Sequence, residues 1–423
     1  MQRIVFIVLI YLLVQACRPL ERQVRQMAAA GQYHAGFYLY DPQRHKVLAD
    51  YQGDKYFTPA SNTKILTLYA AQHLLPDSLP AFYLTHDSLA TYLWPLGYPG
   101  FLNPAVGDTL TYRVLAAADS LVLNLPATQP DRFGPGWAWD DYNSSYMPER
   151  SAFPVMGNLA AFTLDSLTGR LYVAPAWLAD SVVLDSGQTF TVQRAEYANR
   201  FTVMLDSCRQ DCRAQVPLRL DKATLVRLLS DTLHTPVALS ALSRPDSARL
   251  YYGLPADSVY KVMMQQSDNF LAEQLLLQVA QVISDTLEAA IAIDSVSRLL
   301  DPLLPDSLIW VDGSGLSRYN MTTPRNLIAL WQALVDEMGR ERLLALLAAG
   351  GHAGTIAGWY AKTPPYIYGK TGTLRHNHVL SGLLQARSGR WLYFAFMHNH
   401  YQTSSTVVKQ QMERLLQLVY EKY

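Results

Sequence analysis

Phe57-Thr58-Pro59-Ala60-Ser61-Asn62-Thr63-Lys64 runs straight into Ile65-Leu66-Thr67-Leu68-Tyr69-Ala70-Ala71. Ile65, Leu66, Leu68, Ala71, Leu74 and Leu75 recur with the period of a buried helix, and Pro59 and Ala60 end the extended segment before it. The pattern predicts a helix starting at or near Ser61. Ser61 and Lys64 would then lie one above the other on one helix face. A hydroxyl beside an amine at a helix N-terminus is a candidate nucleophile with its base. The amine must be partly neutral to take the proton, and burial against an apolar helix base lowers a lysine pKa. The N–H groups of the first turn point at whatever Ser61 attacks and favour negative charge there. The same four residues also suit a serine N-cap followed by a solvated lysine, so the rest of the chain decides between the two readings.

Two more polar stretches bear on that choice. Gln265-Gln266-Ser267-Asp268-Asn269-Phe270 lies between two helical runs. Ser267 and Asn269, two apart on a turn, can face the same side; the hydroxyl can pass a proton and the amide can hold a substrate amide. Ser267 or Asp268 would equally serve as an N-cap for the following helix. Tyr368-Gly369-Lys370-Thr371-Gly372-Thr373-Leu374 opens a strand near the C-terminus. Its glycines let other atoms approach the backbone, Lys370 and the threonine hydroxyls suit a carboxylate, and the Thr373 N–H on a strand edge suits half of an oxyanion hole. No strand, glycine-rich loop and helix surround it in the manner of a phosphate loop.

S-x-x-K, S-D-N and K-T-G in that order are the signature of penicillin-binding proteins and class A β-lactamases. The chain resembles the D-alanyl-D-alanine carboxypeptidase/endopeptidase family, the low-molecular-mass class C penicillin-binding proteins. The long separation of Lys64 from Ser267 fits a family with extra domains inserted between the first two motifs. Phe57-x-Pro59-Ala60-Ser61 resembles the family's lead-in, and Gly136-Trp137-Ala138-Trp139-Asp140-Asp141 with Tyr146 resembles its insertion signature. Asp312-Gly313-Ser314-Gly315-Leu316-Ser317-Arg318 with Asn320, and Gly354-Thr355 within 351–356, resemble two further family segments. Tyr92 to Phe101 departs from the family pattern and is expected to be a loop or partner surface.

The resemblance implies an acyl transfer. Ser61 is the expected nucleophile, Lys64 its base and Ser267 the proton carrier to the leaving amine. Asn269 would hold the acyl-side amide, and Lys370, Thr371, Gly372 and Thr373 would form the strand that binds the terminal carboxylate and the oxyanion. Trp139, Asp140 and Asp141 would line the acyl-donor side. Asp312 to Arg318 is read as structural, since Gly-Ser-Gly suits a tight turn. The expected substrates are peptidoglycan stem peptides, β-lactams are expected covalent inhibitors, and no cofactor or metal is implied, so full activity in a chelator is expected. The rival readings are a β-lactamase, a non-catalytic cell-wall-binding scaffold and a cell-wall esterase. No glutamate stands after Ser61 in the manner of the class A deacylating base.

The bulk numbers agree with an exported enzyme. The 423 residues carry 35 basic and 35 acidic side chains, so no basic excess is available for nucleic acid. Half of the residues are hydrophobic, ample for more than one domain. Arg3, the apolar run 4–14 and the ending Gln15-Ala16-Cys17 resemble a bacterial lipoprotein signal, which implies lipid attachment at Cys17; the alternatives are ordinary secretion or an uncleaved anchor, and all three place the body outside the cytoplasm, on the periplasmic side of the cell envelope. Cys208 and Cys212 are then an even pair, read as a small surface disulfide.

The predicted organisation is α+β. A penicillin-binding, β-lactamase-like transpeptidase domain has an antiparallel sheet covered by helices. Residues 1–16 form the signal, 17–84 and 236–423 the two parts of that domain, and 85–235 a mostly β insertion. The first two strands, 36–40 and 46–51, and the last three, 366–374, 378–386 and 390–397, should share one sheet. Helices are expected over 21–32, 222–229, 257–282 with a break near Gln265, 285–300, 323–348 and 404–420.

Overall fold

The computed structural model describes residues 19–205 and 212–423. Cys17 and Cys208, on which the lipid and disulfide expectations bear, lie outside these residues; Cys212 is disulfide-bonded. The chain divides into two compact units. The first contains residues up to Tyr69, then Met264–Ser267 and Ser295–Tyr423; the second contains Ala70–Met263 and Asp268–Asp294.

The first unit is built on the predicted antiparallel sheet. His34–Asp41 pairs on one side with Lys46–Tyr51 and on the other with Trp391–Asn399; beyond that lie Asn377–Gln385 and Ile367–Leu374. A short sixth strand, Ala348–Ala349, covers only Tyr368 and Gly369 of the last. Ala348 is the last residue of the run 323–348 that was expected to be helical. The helices there are Pro324–Met338 and Arg340–Leu346, split at Gly339, whose φ of +80° no helix interior adopts.

Alternation sends the two sheet faces to different helices. Ala35, Phe37, Leu39, Leu380, Leu384, Leu392, Phe394 and Phe396 form one apolar core with Leu20 and Val24 of helix Pro19–Gly31 and with Met412 and Leu416 of helix Ser405–Lys422. The opposite face meets helix Pro324–Met338. Its Trp331 is fully buried and donates from Nε1 to Ser381 Oγ at 2.9 Å. Thr323 caps this helix through its side chain, and Pro324 occupies the first turn, where no N–H is required.

The second unit holds three sheets. A five-stranded sheet runs in the order Val237–Ser240, Leu121–Asn124, Thr91–Pro95, Ser78–His86 and Arg249–Pro255. Two three-stranded sheets contain Val182–Ser186, Phe201–Leu205 and Thr191–Arg194, and Cys212–Pro217, Leu159–Leu164 and Leu171–Ala174. Helix Asn269–Ser284 is buried on nearly every face. Its polar residues therefore bind inside the unit: Glu273 pairs with Arg150 at 3.4 Å, Gln274 donates to Gly97 O and Ser151 O, and Gln278 donates to Pro80 O at 2.6 Å.

This unit corrects three expectations. Tyr92 to Phe101 begins in a strand, Thr91–Pro95, and not wholly in a loop. Val237–Ser240 and Arg249–Pro255 are strands where none was expected, between the expected helices 222–229 and 257–282. The unit also extends beyond 85–235 on both sides, because its five-stranded sheet includes Ser78–His86 before that stretch and Val237–Ser240 and Arg249–Pro255 after it.

Candidate active site

The turn that carries Ser61 is tighter than its sequence pattern suggested. Ala60–Thr63 is a 3-10 turn, and the α-helix begins only at Lys64, running to Leu74. Ala60 enters the turn at φ +47°, an uncommon conformation for a residue with a Cβ. The tighter turn still sets Ser61 and Lys64 side by side. Lys64 Nζ donates to Ser61 Oγ at 3.1 Å and to Ser314 O at 2.7 Å. Lys64 is fully buried, whereas Ser61 is partly exposed. The solvated-lysine reading therefore fails.

Three neighbours hold this turn. Asn62 donates from Nδ2 to Lys370 O at 2.9 Å and accepts from Ser381 Oγ at 2.6 Å, which ties the turn to the K-T-G strand and its partner. Thr67 Oγ1 donates to Gly313 O at 2.6 Å. Gly372 lies so close that a Cβ there would meet Pro59 O at 2.4 Å and Ser61 N at 2.9 Å. The K-T-G glycine is thus required by backbone approach to the turn that carries Ser61.

The segment 312–318 does more than turn the chain. Asp312 is fully buried; Oδ1 accepts from Gly315 N at 2.8 Å and Asn320 Nδ2 at 2.7 Å, and Oδ2 accepts from Ser317 N at 2.7 Å. This loop presents Ser314 O to Lys64. Gly315 sits at φ +83°, and a Cβ there would lie 1.9 Å from Ala60 O. Gly315→Ala should lower stability by more than about 2 kcal/mol and slow labelling at Ser61, because Ala60 cannot retreat without moving Ser61. Chemical denaturation and labelling of Ser61 on the same sample would check both effects.

Ser267 and Lys370 make a second hydroxyl–amine pair. Ser267 adopts φ +61° in the turn before helix Asn269–Ser284. Lys370 Nζ donates to Ser267 Oγ and to Thr371 O, both at 2.8 Å. Burial, and then the positive charge of Lys64, hold the Lys370 amine well below the ordinary lysine range. Asp268, not Ser267, caps the following helix, accepting from Leu271 N at 2.9 Å. Ser267 is thereby left to Lys370.

Thr371 Oγ1 donates to Thr355 Oγ1 at 2.7 Å. Gly354 is at φ +69°, and a Cβ there would meet Gln265 O at 2.6 Å, so 354–355 packs directly against the turn that carries Ser267. Thr373 is exposed on strand Ile367–Leu374, beyond the reach of the two-residue strand that covers Tyr368 and Gly369. Asn269 belongs to the second unit, where its Nδ2 donates to Tyr146 O at 2.8 Å. In the same segment Trp139 is exposed and Tyr146 Oη donates to Asp141 Oδ1 at 2.6 Å.

Within the first unit the fold thus brings together Ser61, Lys64, Ser267, Lys370, Thr371, Gly372 and Thr373. Sequence reasoning missed two supports, Ser314 O and the Thr355 hydroxyl. Both stand in segments that resemble the family, the first of them read as a structural turn and neither given a role in the site.

Comparison with known proteins agrees with the motifs. Residues 253–419 match the D-Ala-D-Ala carboxypeptidase 3 (S13) family. The chain is 23% identical over 433 aligned positions to the D-alanyl-D-alanine carboxypeptidase DacB of Haemophilus influenzae, covering 91% of this chain and 89% of that protein. It is 34% identical over 184 residues to a carboxypeptidase of Mycobacterium tuberculosis, covering 39% of this chain and 38% of that one, so only about two fifths of that relative's length is spanned. Among solved structures, penicillin binding protein 4 of Haemophilus influenzae superposes with a TM-score of 0.76 at 20% identity, covering 92% of this chain and 97% of that chain. The resemblance and the penicillin-binding fold expected from the sequence are borne out.

Proposed function

We infer that this chain, which carries the D-Ala-D-Ala carboxypeptidase 3 (S13) family segment, is a serine-type D-alanyl-D-alanine carboxypeptidase that also opens cross-links between peptidoglycan stem peptides. The observation that carries this reading is the fully buried amine of Lys64, 3.1 Å from Ser61 Oγ and anchored by Ser314 O.

Ser61 Oγ attacks the carbonyl carbon of the penultimate D-alanine while Lys64 takes its proton. The N–H groups of Ser61 and Thr373 hold the oxyanion, each donor of this type being worth about 3–4 kcal/mol. The C–N bond then breaks, and Ser267 passes a proton to the leaving amine. Lys370 is bonded to Ser267 and supports that transfer. Lys370, Thr371 and Thr373 hold the terminal carboxylate, and Asn269 holds the acyl-side amide. Water hydrolyses the resulting ester. When the leaving amine belongs to a cross-linked diaminopimelate, the same steps make an endopeptidase. A predatory peptidoglycan endopeptidase of Bdellovibrio bacteriovorus has a related fold, with a TM-score of 0.53 at 12% identity over 92% of each chain.

The test is the intact mass of the purified chain before and after incubation with penicillin, with the adduct mapped, followed by digestion of purified muropeptides. A lasting adduct on Ser61 with release of D-alanine is expected. Rapid loss of penicillin with no lasting adduct would favour a β-lactamase instead. Neither adduct nor turnover in a folded sample would favour a scaffold. We place the enzyme on the periplasmic side of the envelope, held by lipid on Cys17; the support is the apolar run ending at that cysteine. Radiolabelled palmitate should label the unaltered chain and not Cys17→Ala.

A further inference from the structure

The Thr373 hydroxyl is not isolated. Thr373 and His378 are direct partners across the hairpin of strands Ile367–Leu374 and Asn377–Gln385, so their side chains leave one face of the sheet as close neighbours. Thr373 Oγ1 lies 2.8 Å from His378 Nδ1. Thr373 is exposed and His378 only 2% exposed. The row continues into the next strand, where His378 faces His398, itself fully buried between Phe396 at 4.4 Å and Tyr33 at 5.4 Å between ring centres. Packing therefore restricts the His378 ring, while the threonine hydroxyl stays at the surface.

Burial, and then the charge of Lys409, push His378 down to about 3, so the ring is neutral and carries one N–H. Where that hydrogen sits decides what Thr373 offers. On Nδ1, the ring donates to Thr373 Oγ1 and turns the hydroxyl hydrogen outward. On Nε2, the hydroxyl donates inward and only lone pairs face out. The first arrangement binds a carboxylate; the second repels it.

We propose that His378 is a positioning residue whose Nδ1–H fixes the Thr373 hydroxyl as an outward donor to the terminal carboxylate of the substrate. The inference rests on the carboxypeptidase reading above. His378 touches no reacting atom. Its effect falls on binding of the free carboxylate, and so on which chain ends the enzyme accepts.

The test is steady-state kinetics of the full chain on a D-alanyl-D-alanine-terminated peptide and on its C-terminal amide. A hydrogen bond to a charged group is strong enough that His378→Leu should raise KM for the free carboxylate at least about tenfold, with kcat within about twofold. The amide should respond little. His378→Asn, whose amide nitrogen falls near the position of Nδ1, should recover most of the loss. Adding His378→Leu to Thr373→Val should cost nothing beyond Thr373→Val alone. Nitrogen-15 spectra of the unaltered chain should show the hydrogen of His378 on Nδ1.

An unchanged KM in folded His378→Leu, an Nε2–H ring, or equal losses on both peptides with a lower melting temperature would overturn the inference. Should His378→Leu not fold, the Asn variant and the tautomer decide. If the unaltered chain neither hydrolyses the peptide nor is acylated by penicillin, the functional reading fails and this inference with it. If it does both and only the His378 results disagree, the functional reading stands alone.

Discussion

Ser61→Ala is expected to leave a folded protein that penicillin no longer labels. The change removes one partly exposed hydroxyl, and surface substitutions of this kind move stability by no more than about 0.5 kcal/mol. Lys64 keeps its bond to Ser314 O at 2.7 Å, and Asn62 keeps its bonds to Lys370 O and Ser381 Oγ, so the turn should hold its shape. What is lost is the atom proposed to form the covalent bond. Removing a nucleophile from a concerted set typically costs about 10⁴-fold or more, and oxyanion donors alone leave no covalent product. Intact-mass spectrometry after penicillin is the measurement. Undiminished labelling would remove Ser61 from its role, and mapping the adduct would name its replacement.

Lys64→Ala should slow acylation by at least about a hundredfold, the lower end of what a positioned general base contributes. A smaller loss would point to another base, with Lys370 the first to test, since its amine is held well below the ordinary range by burial and by Lys64 itself. Lys64 is fully buried, so truncation to alanine also opens a cavity and leaves Ser314 O without this donor. Lys64→Met separates the effects, because it fills nearly the same volume without an amine. Comparable rate losses in Ala and Met, with a smaller stability loss in Met, would assign the effect to proton transfer. Full rate in a folded Met variant would exclude Lys64 as the base.

The parts of the fold carried by local pattern were legible. Period-2 runs near both termini marked the strands of the first sheet, and the long apolar period after Ser61 marked its helix. Much of the second unit was not. Thr91–Pro95 and Leu121–Asn124 pair in parallel, as do Leu121–Asn124 and Val237–Ser240. Such pairings join residues distant in the chain and leave no hairpin signal. Tyr92-Leu93-Trp94 alternates as a strand should, but the Pro and Gly residues just after it drew the reading toward a loop. His378 was missed because its hairpin turns at Arg375-His376, with His376 at φ +68° and neither turn position a Gly or Asn to mark the register that sets His378 opposite Thr373.

The sequence by itself determined which residues carry the chemistry proposed for this protein. A hydroxyl and an amine three residues apart on helical backbone remain neighbours whatever surrounds them, and three ordered motifs restrict the fold in which they act. Only the tertiary structure decided the state of those groups. Burial of Lys64 and Lys370, the Ser314 carbonyl that anchors one amine and the Ser267 hydroxyl that meets the other come from residues far apart in the chain, and the histidine behind Thr373 is set there by the register of its hairpin and buried by the core around it. Desolvation and hydrogen-bond geometry depend on what packs around a group, and no local pattern of residues encodes that.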